Sequence, residues 1–158
     1  MTVERRQVAP GFARLEASEG DDVCEIDLGY DYRLHMPEPS PLGPVLTPEE
    51  LAADKTLAVH GRALARDYVD VRALMERFGG DRLLEWAAQK DPGFSREAFI
   101  YRLEQIERLP REDFAVDDAE LAALKNDSAV WRDELVARER ETTGLDRTRD
   151  MEPPEIGF

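Results

Sequence analysis

The run of residues 46–80 constrains the fold more than any other part of the sequence, because it predicts two helices in close succession. Thr47 is placed as an N-cap, Pro48 follows at the first helical position, and Glu50 stands three residues after the cap, which is the pattern of a capping box. The second helix ends at Gly79-Gly80, a typical helix stop. Its apolar stripe consists of Val71, Leu74, Met75 and Phe78.

Charged side chains fall on the inward faces of both predicted helices. Lys55 shares a face with the apolar residues that the first helix is expected to bury, because residues three and four apart are neighbours on a helix. These residues are Leu51, Ala58 and Val59. In the second helix, Asp67 and Asp70 lie on the same face as the apolar stripe, toward its N-terminal end. A buried ion without a partner costs several kcal/mol, so these charges need an explanation.

Two explanations remain open at this point. In the structural one, Lys55, Arg62 or Arg66 pairs with Asp67 or Asp70 and holds the two helices together. In the chemical one, the cations and the carboxylates line a cleft that handles phosphates or a metal ion.

Before this run, the sequence predicts a β-hairpin. Residues 12–17 and 23–30 alternate between apolar and polar side chains around a turn that contains Gly20. Glu25 and Asp27 share one face of the second strand, where they are either solvent-facing or oxygen ligands for a hard cation such as magnesium. Asp is unfavourable inside a strand, which singles out Asp27. Residues 1–10 are predicted to be a frayed leader, and residues 31–44, with four prolines, a linker.

Three more helices are predicted after Gly80, over residues 81–90, from Ser95 to about Leu109, and from Asp117 through Leu135. The fold class is therefore α+β, an N-terminal β-hairpin followed by a five-helix domain. We divide the chain into residues 1–45 (hairpin and linker), 46–141 (helical domain) and 142–158 (a polar, mobile tail).

The net charge of −14 limits the classes of partner. A strongly acidic protein lacks the long-range attraction to phosphates that drives nucleic-acid binding, so RNA contact requires a local basic patch. Candidates are Arg62 with Arg66, and a second group of Arg96, Arg102 and Arg108. Apart from RNA contact, two interpretations of the acidic side chains remain. They form an ordinary solvated surface, or they match a basic partner protein. A single cysteine and no secretory signal make a cytoplasmic location the expectation.

Residues 49–58, Arg62 and residues 66–71 together resemble a known family. The sequence EELAADKTLA, the arginine seven residues after the lysine, and RDYVDV are similar to the lysine-bearing and Arg-Asp-x-x-Asp motifs of the AbiEii/AbiGii toxin nucleotidyltransferases. The resemblance extends more loosely from about Phe12 to about Leu135. It implies a polymerase-β-like sheet followed by helices, and a toxin that transfers a nucleotide from an NTP to an RNA acceptor such as tRNA.

The resemblance also implies roles for individual residues. Lys55, Asp67 and Asp70 are the implied catalytic residues, with Lys55 holding the triphosphate as a compact charge. Lys55, Arg62 and Arg66 would bind the nucleotide, and Asp27 would be a metal carboxylate for Mg²⁺. The implied partners are an antitoxin protein and tRNA, with no membrane and no DNA.

The chain departs from the family in one motif. The family's Gly-Ser followed by Asp-x-Asp has no counterpart, because the sequence contains neither a Gly-Ser dipeptide nor an Asp-x-Asp anywhere. We therefore expect a chain that lacks the family's first segment and is incomplete or inactive as a single polypeptide. The alternative function is a non-catalytic acidic helical module that binds another protein.

Overall fold

The computed structural model describes residues 1–149, with side chains through residue 142. The chain divides into two compact units, one formed by Met1–Leu34 and one that begins at His35. The first unit is a β-sheet and the second is helical, so the α+β fold class predicted from the sequence is confirmed.

The first unit is a three-stranded antiparallel sheet in the order β1-β2-β3. The strands are β1 (Thr2–Ala9), β2 (Phe12–Glu19) and β3 (Asp22–Gly29). The β2–β3 hairpin confirms the predicted one. The register pairs Ala13 with Leu28 and Leu15 with Ile26 on one face, and Arg14 with Asp27 on the other. Side chains thus alternate between an apolar face and a charged face.

The prediction that residues 1–10 are a frayed leader is wrong, because they form strand β1. A two-residue turn, Pro10-Gly11, connects β1 to β2, with Ala9 paired to Phe12. Gly11 has a φ of 76°, which glycine adopts at no steric cost. Arg6 forms ion pairs with Glu4 and Glu16. Cross-strand pairing therefore stabilises a segment whose polar composition alone favours disorder.

The second unit contains five helices and two short 3-10 turns. The helices are α1 (Pro48–Gly61), α2 (Ala65–Phe78), α3 (Gly80–Lys90), α4 (Arg96–Gln105) and α5 (Asp118–Arg149), with 3-10 turns at Ile106–Arg108 and Arg111–Asp113. The predicted caps form: Thr47 accepts a hydrogen bond from the amide of Glu50, and Ser95 from that of Ala98. Asp117 and Glu120 cap each other's amides at the start of α5.

Helix α5 runs past Thr142, where the polar tail was predicted to begin, and is described as far as Arg149. The remainder of the predicted tail, residues 150–158, lies outside the described residues. Across residues 1–149, no helix combines the length and the apolar character that a membrane span requires.

Among the residues whose side chains are described, the hydrophobic core lies within the helical unit. Phe99 is fully buried at its centre and meets Trp131 edge to face, with ring centroids 5.1 Å apart. The inward face predicted for α1 is partly wrong, because Leu51 is 39% exposed. Ala52 and Ala53 are buried instead, since small side chains allow α1 to approach its neighbours closely. Lys55 consequently lies at the margin of the core rather than inside it.

Candidate functional site

Lys55 and Asp70 meet where α1 packs against α2. The Nζ of Lys55 lies 2.6 Å from Oδ2 of Asp70, and both side chains are about one-third exposed, at 32% and 39%. This is a charge-assisted hydrogen bond that water reaches from one side. The sequence predicted that Lys55 would reach Asp67 or Asp70, and the structure joins it to Asp70.

Asp67 is held by a different cation. The Arg62 guanidinium donates Nε and Nη2 hydrogen bonds to its two carboxylate oxygens, at 3.0 and 2.8 Å. The amide of Leu64 donates a third bond at 3.0 Å, across the start of α2. Asp67 is fully buried, whereas the Arg62 side chain is 51% exposed. The carboxylate thus fixes the turn between α1 and α2.

The electrostatics at Asp67 favour the ionised form. Burial raises the pKa of this carboxyl, but the Arg62 hydrogen bonds, the Leu64 amide and the charges of Arg62 and Arg66 outweigh it, so the pKa lies below its ordinary value. The same hydrogen bond to Asp67 raises the pKa of Arg62. Asp67 is therefore an anion over the physiological pH range.

Arg66 lies in the first turn of α2, four residues after Arg62, and is exposed. It forms no hydrogen bond or ion pair within the part of the chain that the structure describes. Its donors are therefore available to a ligand, in contrast to those of Arg62, which donates to both carboxylate oxygens of Asp67. The two arginines and Lys55 are the nucleotide-binding residues predicted from the sequence, and that role stays a prediction.

Asp27 belongs to the β unit, where Arg14 on the neighbouring strand binds it. Arg14 Nε lies 2.8 Å from Oδ1 and Nη2 lies 2.7 Å from Oδ2, so the guanidinium contacts both oxygens. Glu25 lies 3.4 Å from the same guanidinium. The hydrogen bond from Arg14 lowers the pKa of Asp27. The role of Asp27 as a metal ligand remains a prediction.

Sequence reasoning missed a buried charged cluster between α1 and α3. Lys90, at the end of α3, lies 2.6 Å from Oε1 of Glu50 and also pairs with Asp54. The backbone amide of His35 donates to the other oxygen of Glu50 at 2.9 Å. The sequence does contain one sign of this cluster, because the carboxylates of Glu50 and Asp54 are four residues apart and so share one helix face. Their partner could not be found, because Lys90 is distant in sequence.

Comparison with known proteins assigns the family. Residues 4–148 match the family described as nucleotidyl transferase AbiEii toxin, type IV toxin–antitoxin system. The match covers almost all of the described chain. The chain belongs to this family. Searches of curated proteins and of solved structures find no significant match.

Membership in the AbiEii family confirms the resemblance drawn from residues 49–71 and identifies a toxin-type nucleotidyltransferase. It implies an NTP substrate, a divalent metal and an antitoxin partner. The Lys55–Asp70 and Arg62–Asp67 pairs lie within the matched region. The first joins α1 to α2, and the second joins the residue that follows α1 to α2, within the segment that carries the family-like motifs.

The implied metal does not fit the side chains of this chain by themselves. Among the described residues, no three His, Cys, Asp or Glu side chains converge closely enough to hold a metal ion. Asp27, the predicted ligand, has both oxygens bound by Arg14. An oxygen-ligand site for a hard cation needs several such groups together, and the described residues do not bring them together.

Proposed function

We propose that this AbiEii-family chain binds the triphosphate of an NTP at the α1–α2 contact and acts in nucleotide transfer to a tRNA-like RNA acceptor. The observation that carries the proposal is the Lys55–Asp70 contact, an ion pair about one-third exposed that lies inside the motif region of residues 49–71. The ammonium is a compact charge that can exchange a carboxylate partner for a phosphate.

In this proposal, Asp70 is a positioning residue for Lys55. Its carboxylate holds the ammonium at the surface of the helix pair before a ligand arrives, which reduces the entropy cost of ordering a flexible lysine on binding. Arg66, with exposed donors, adds a second phosphate contact.

Asp67 acts through Arg62 rather than on the substrate. Its carboxylate is fully buried and its oxygens are occupied by the Arg62 fork and the Leu64 amide. Its direct participation in catalysis was predicted from the resemblance, but burial favours a positioning role. It sets the direction of Arg62 and the geometry of the turn from which Arg66 projects.

The binding step is tested by titrating NTPs into the protein and into Lys55→Ala, with calorimetric detection. We expect about tenfold or greater loss of affinity, because a charge-assisted hydrogen bond contributes about 1.5–3 kcal/mol. Lys125→Ala is the matched control, since Lys125 is also a partly exposed lysine paired with a carboxylate, that of Glu107. Equal losses in both variants would argue against a specific site at Lys55.

Transfer itself is tested with labelled NTPs and tRNA. We expect no transfer by the 158-residue chain alone, because its sequence contains no Gly-Ser and no Asp-x-Asp, and no three potential metal ligands converge among the residues that the structure describes. Transfer that disappears in Lys55→Ala would show the missing motif to be dispensable. Absence of both NTP binding and transfer would instead favour the alternative function, a non-catalytic acidic module that binds another protein.

A further inference from the structure

A cavity of about 280 Å³ opens between α5 and the junction of α2 with α3, away from the Lys55–Asp70 pair. One face of α5 supplies Asp127, Trp131, Glu134 and Arg138, which follow one another at three- and four-residue spacing. Gly80 and Asp81, at the start of α3, form the opposite wall. The volume of the cavity lies just below the range of small-molecule sites and suits a single side chain.

The cavity floor contains a hydrogen-bond donor without a partner. Trp131 is only 5% exposed, and its indole forms no hydrogen bond within the described chain. Its N–H edge lies against Gly80, where an added Cβ would come within 2.5 Å of Nε1. Every fully buried polar side-chain atom among the described residues has a partner, so Nε1 is accessible to solvent. The indole N–H therefore offers a donor to a ligand in the cavity.

The walls carry three carboxylates against one guanidinium. Two of the carboxylates are partnered: Asp127 lies 2.6 Å from Arg72, and Asp81 pairs with Arg138. Glu134 forms no hydrogen bond or ion pair with any residue whose side chain the structure describes. The excess negative charge repels phosphates and attracts cations.

We propose that this cavity binds an arginine side chain of a partner polypeptide. The unpaired Glu134 carboxylate matches the two parallel donors of a guanidinium, a geometry that a lysine ammonium cannot reproduce. The Trp131 N–H needs a hydrogen-bond acceptor. The backbone carbonyl of the bound arginine residue supplies that acceptor close to its guanidinium. Free arginine fits less well, because its own carboxylate would meet the acidic walls.

The test uses NMR of the ¹⁵N-labelled full chain and N-acetyl-arginine N-methylamide as the probe. The protein has two tryptophans, so the indole N–H signal of Trp86 is an internal reference for that of Trp131. We expect a saturable shift of the Trp131 signal and none at Trp86. The probes for comparison are the citrulline analogue, which is neutral and nearly isosteric, free arginine, spermidine and ATP.

Two variants are expected to change the affinity in opposite directions. Glu134→Gln removes the matching charge and should weaken binding about tenfold. Arg138→Gln removes a cation that competes for the acidic walls and should strengthen binding. Glu104→Gln, an exposed carboxylate on α4, is the matched control and should change nothing. The dispersion of the same spectra shows whether each variant is folded.

The proposal is wrong if the Trp131 signal does not move, or if the citrulline analogue binds as well as the arginine one. Binding of ATP at this signal would also contradict it. Spermidine or free arginine binding as tightly as the blocked arginine would rule out a polypeptide source. Loss of binding in both Glu134→Gln and Arg138→Gln would point to a structural disturbance rather than to charge recognition.

Discussion

Asp67 is the residue whose surroundings differ most from those of an ordinary surface carboxylate. It is fully buried, yet its pKa is lowered, because the Arg62 fork and the Leu64 amide favour the anion by more than burial disfavours it. A pKa lower in the folded than in the unfolded state stabilises the fold above the ordinary value of 3.8. That stabilisation is lost as the pH falls through the folded-state pKa.

Asp67→Asn should therefore destabilise the protein in a pH-dependent manner. At pH 7 we expect a loss of about 1–3 kcal/mol in the free energy of unfolding, because a hydrogen-bonded ionic partner is removed while Arg62 stays half exposed to water. The difference from the original protein should shrink as the pH falls below the ordinary carboxyl pKa of 3.8 and then through the lower pKa of Asp67 in the folded state. Urea unfolding followed by circular dichroism at several pH values measures it.

Asp70→Asn is the control for this prediction. Asp70 is 39% exposed and pairs with Lys55, so its removal should cost about 0–1 kcal/mol, as for other surface ion pairs. If Asp67→Asn cost no more than Asp70→Asn at neutral pH, the buried Arg62–Asp67 contact would not be what fixes the turn between α1 and α2.

At the scale of elements, the buried cluster of Glu50, Asp54 and Lys90 connects α1 to α3. Glu50 is fully buried and the Lys90 side chain is 3% exposed. Removing one member of a buried ion pair leaves an uncompensated charge, at a cost of about 3–5 kcal/mol. The cluster also receives the amide of His35, so it fixes the chain segment that leads into α1.

A double-mutant cycle tests this cluster. Glu50→Gln and Lys90→Met should each destabilise the protein by about 3–5 kcal/mol, and the double variant by clearly less than their sum, because it removes the buried Glu50 and Lys90 charges together. Chemical denaturation of the four proteins gives the coupling energy. Lys125→Met, which breaks a surface pair with Glu107, should cost about 1 kcal/mol or less. Strict additivity of the two buried substitutions would contradict this account of the cluster.

At the scale of the whole molecule, all of the buried hydrophobic side chains among the described residues lie in the helical unit, between Ala52 and Leu135. The sheet contributes strands whose side chains are exposed or half-buried. Hydrophobic burial is the main favourable term in folding, so the stability of the helices should not depend on the sheet.

A chain that begins at His35 should therefore fold. We expect it to retain the helical circular dichroism of the full chain and a cooperative thermal unfolding transition within a few degrees of it. The β unit alone, a small three-stranded sheet, should be marginal. Loss of cooperative unfolding in the chain that begins at His35 would mean that residues 1–34 stabilise the helical core.

Much of the helical unit was predictable because its signals are local. The caps at Thr47, Ser95 and Asp117 and the stop at Gly79 depend on residues within one turn, and the structure has helices there. Strand β1 was missed because its eight residues show little hydrophobic alternation, and only pairing with β2 makes them a strand. A strand is stabilised by its neighbours, and the neighbours are not visible in its own sequence.

The sequence by itself determined the α+β class, the order of the helices, the motif region of residues 49–71 and, through it, the family. Helical periodicity and capping are properties of short segments, and a motif is a property of residue order. Only the tertiary structure decided that Lys55 pairs with Asp70, that Arg62 pairs with Asp67, and that Lys90 pairs with Glu50. Which cation meets which anion depends on how helices separated in sequence pack, and several pairings satisfy the same spacing.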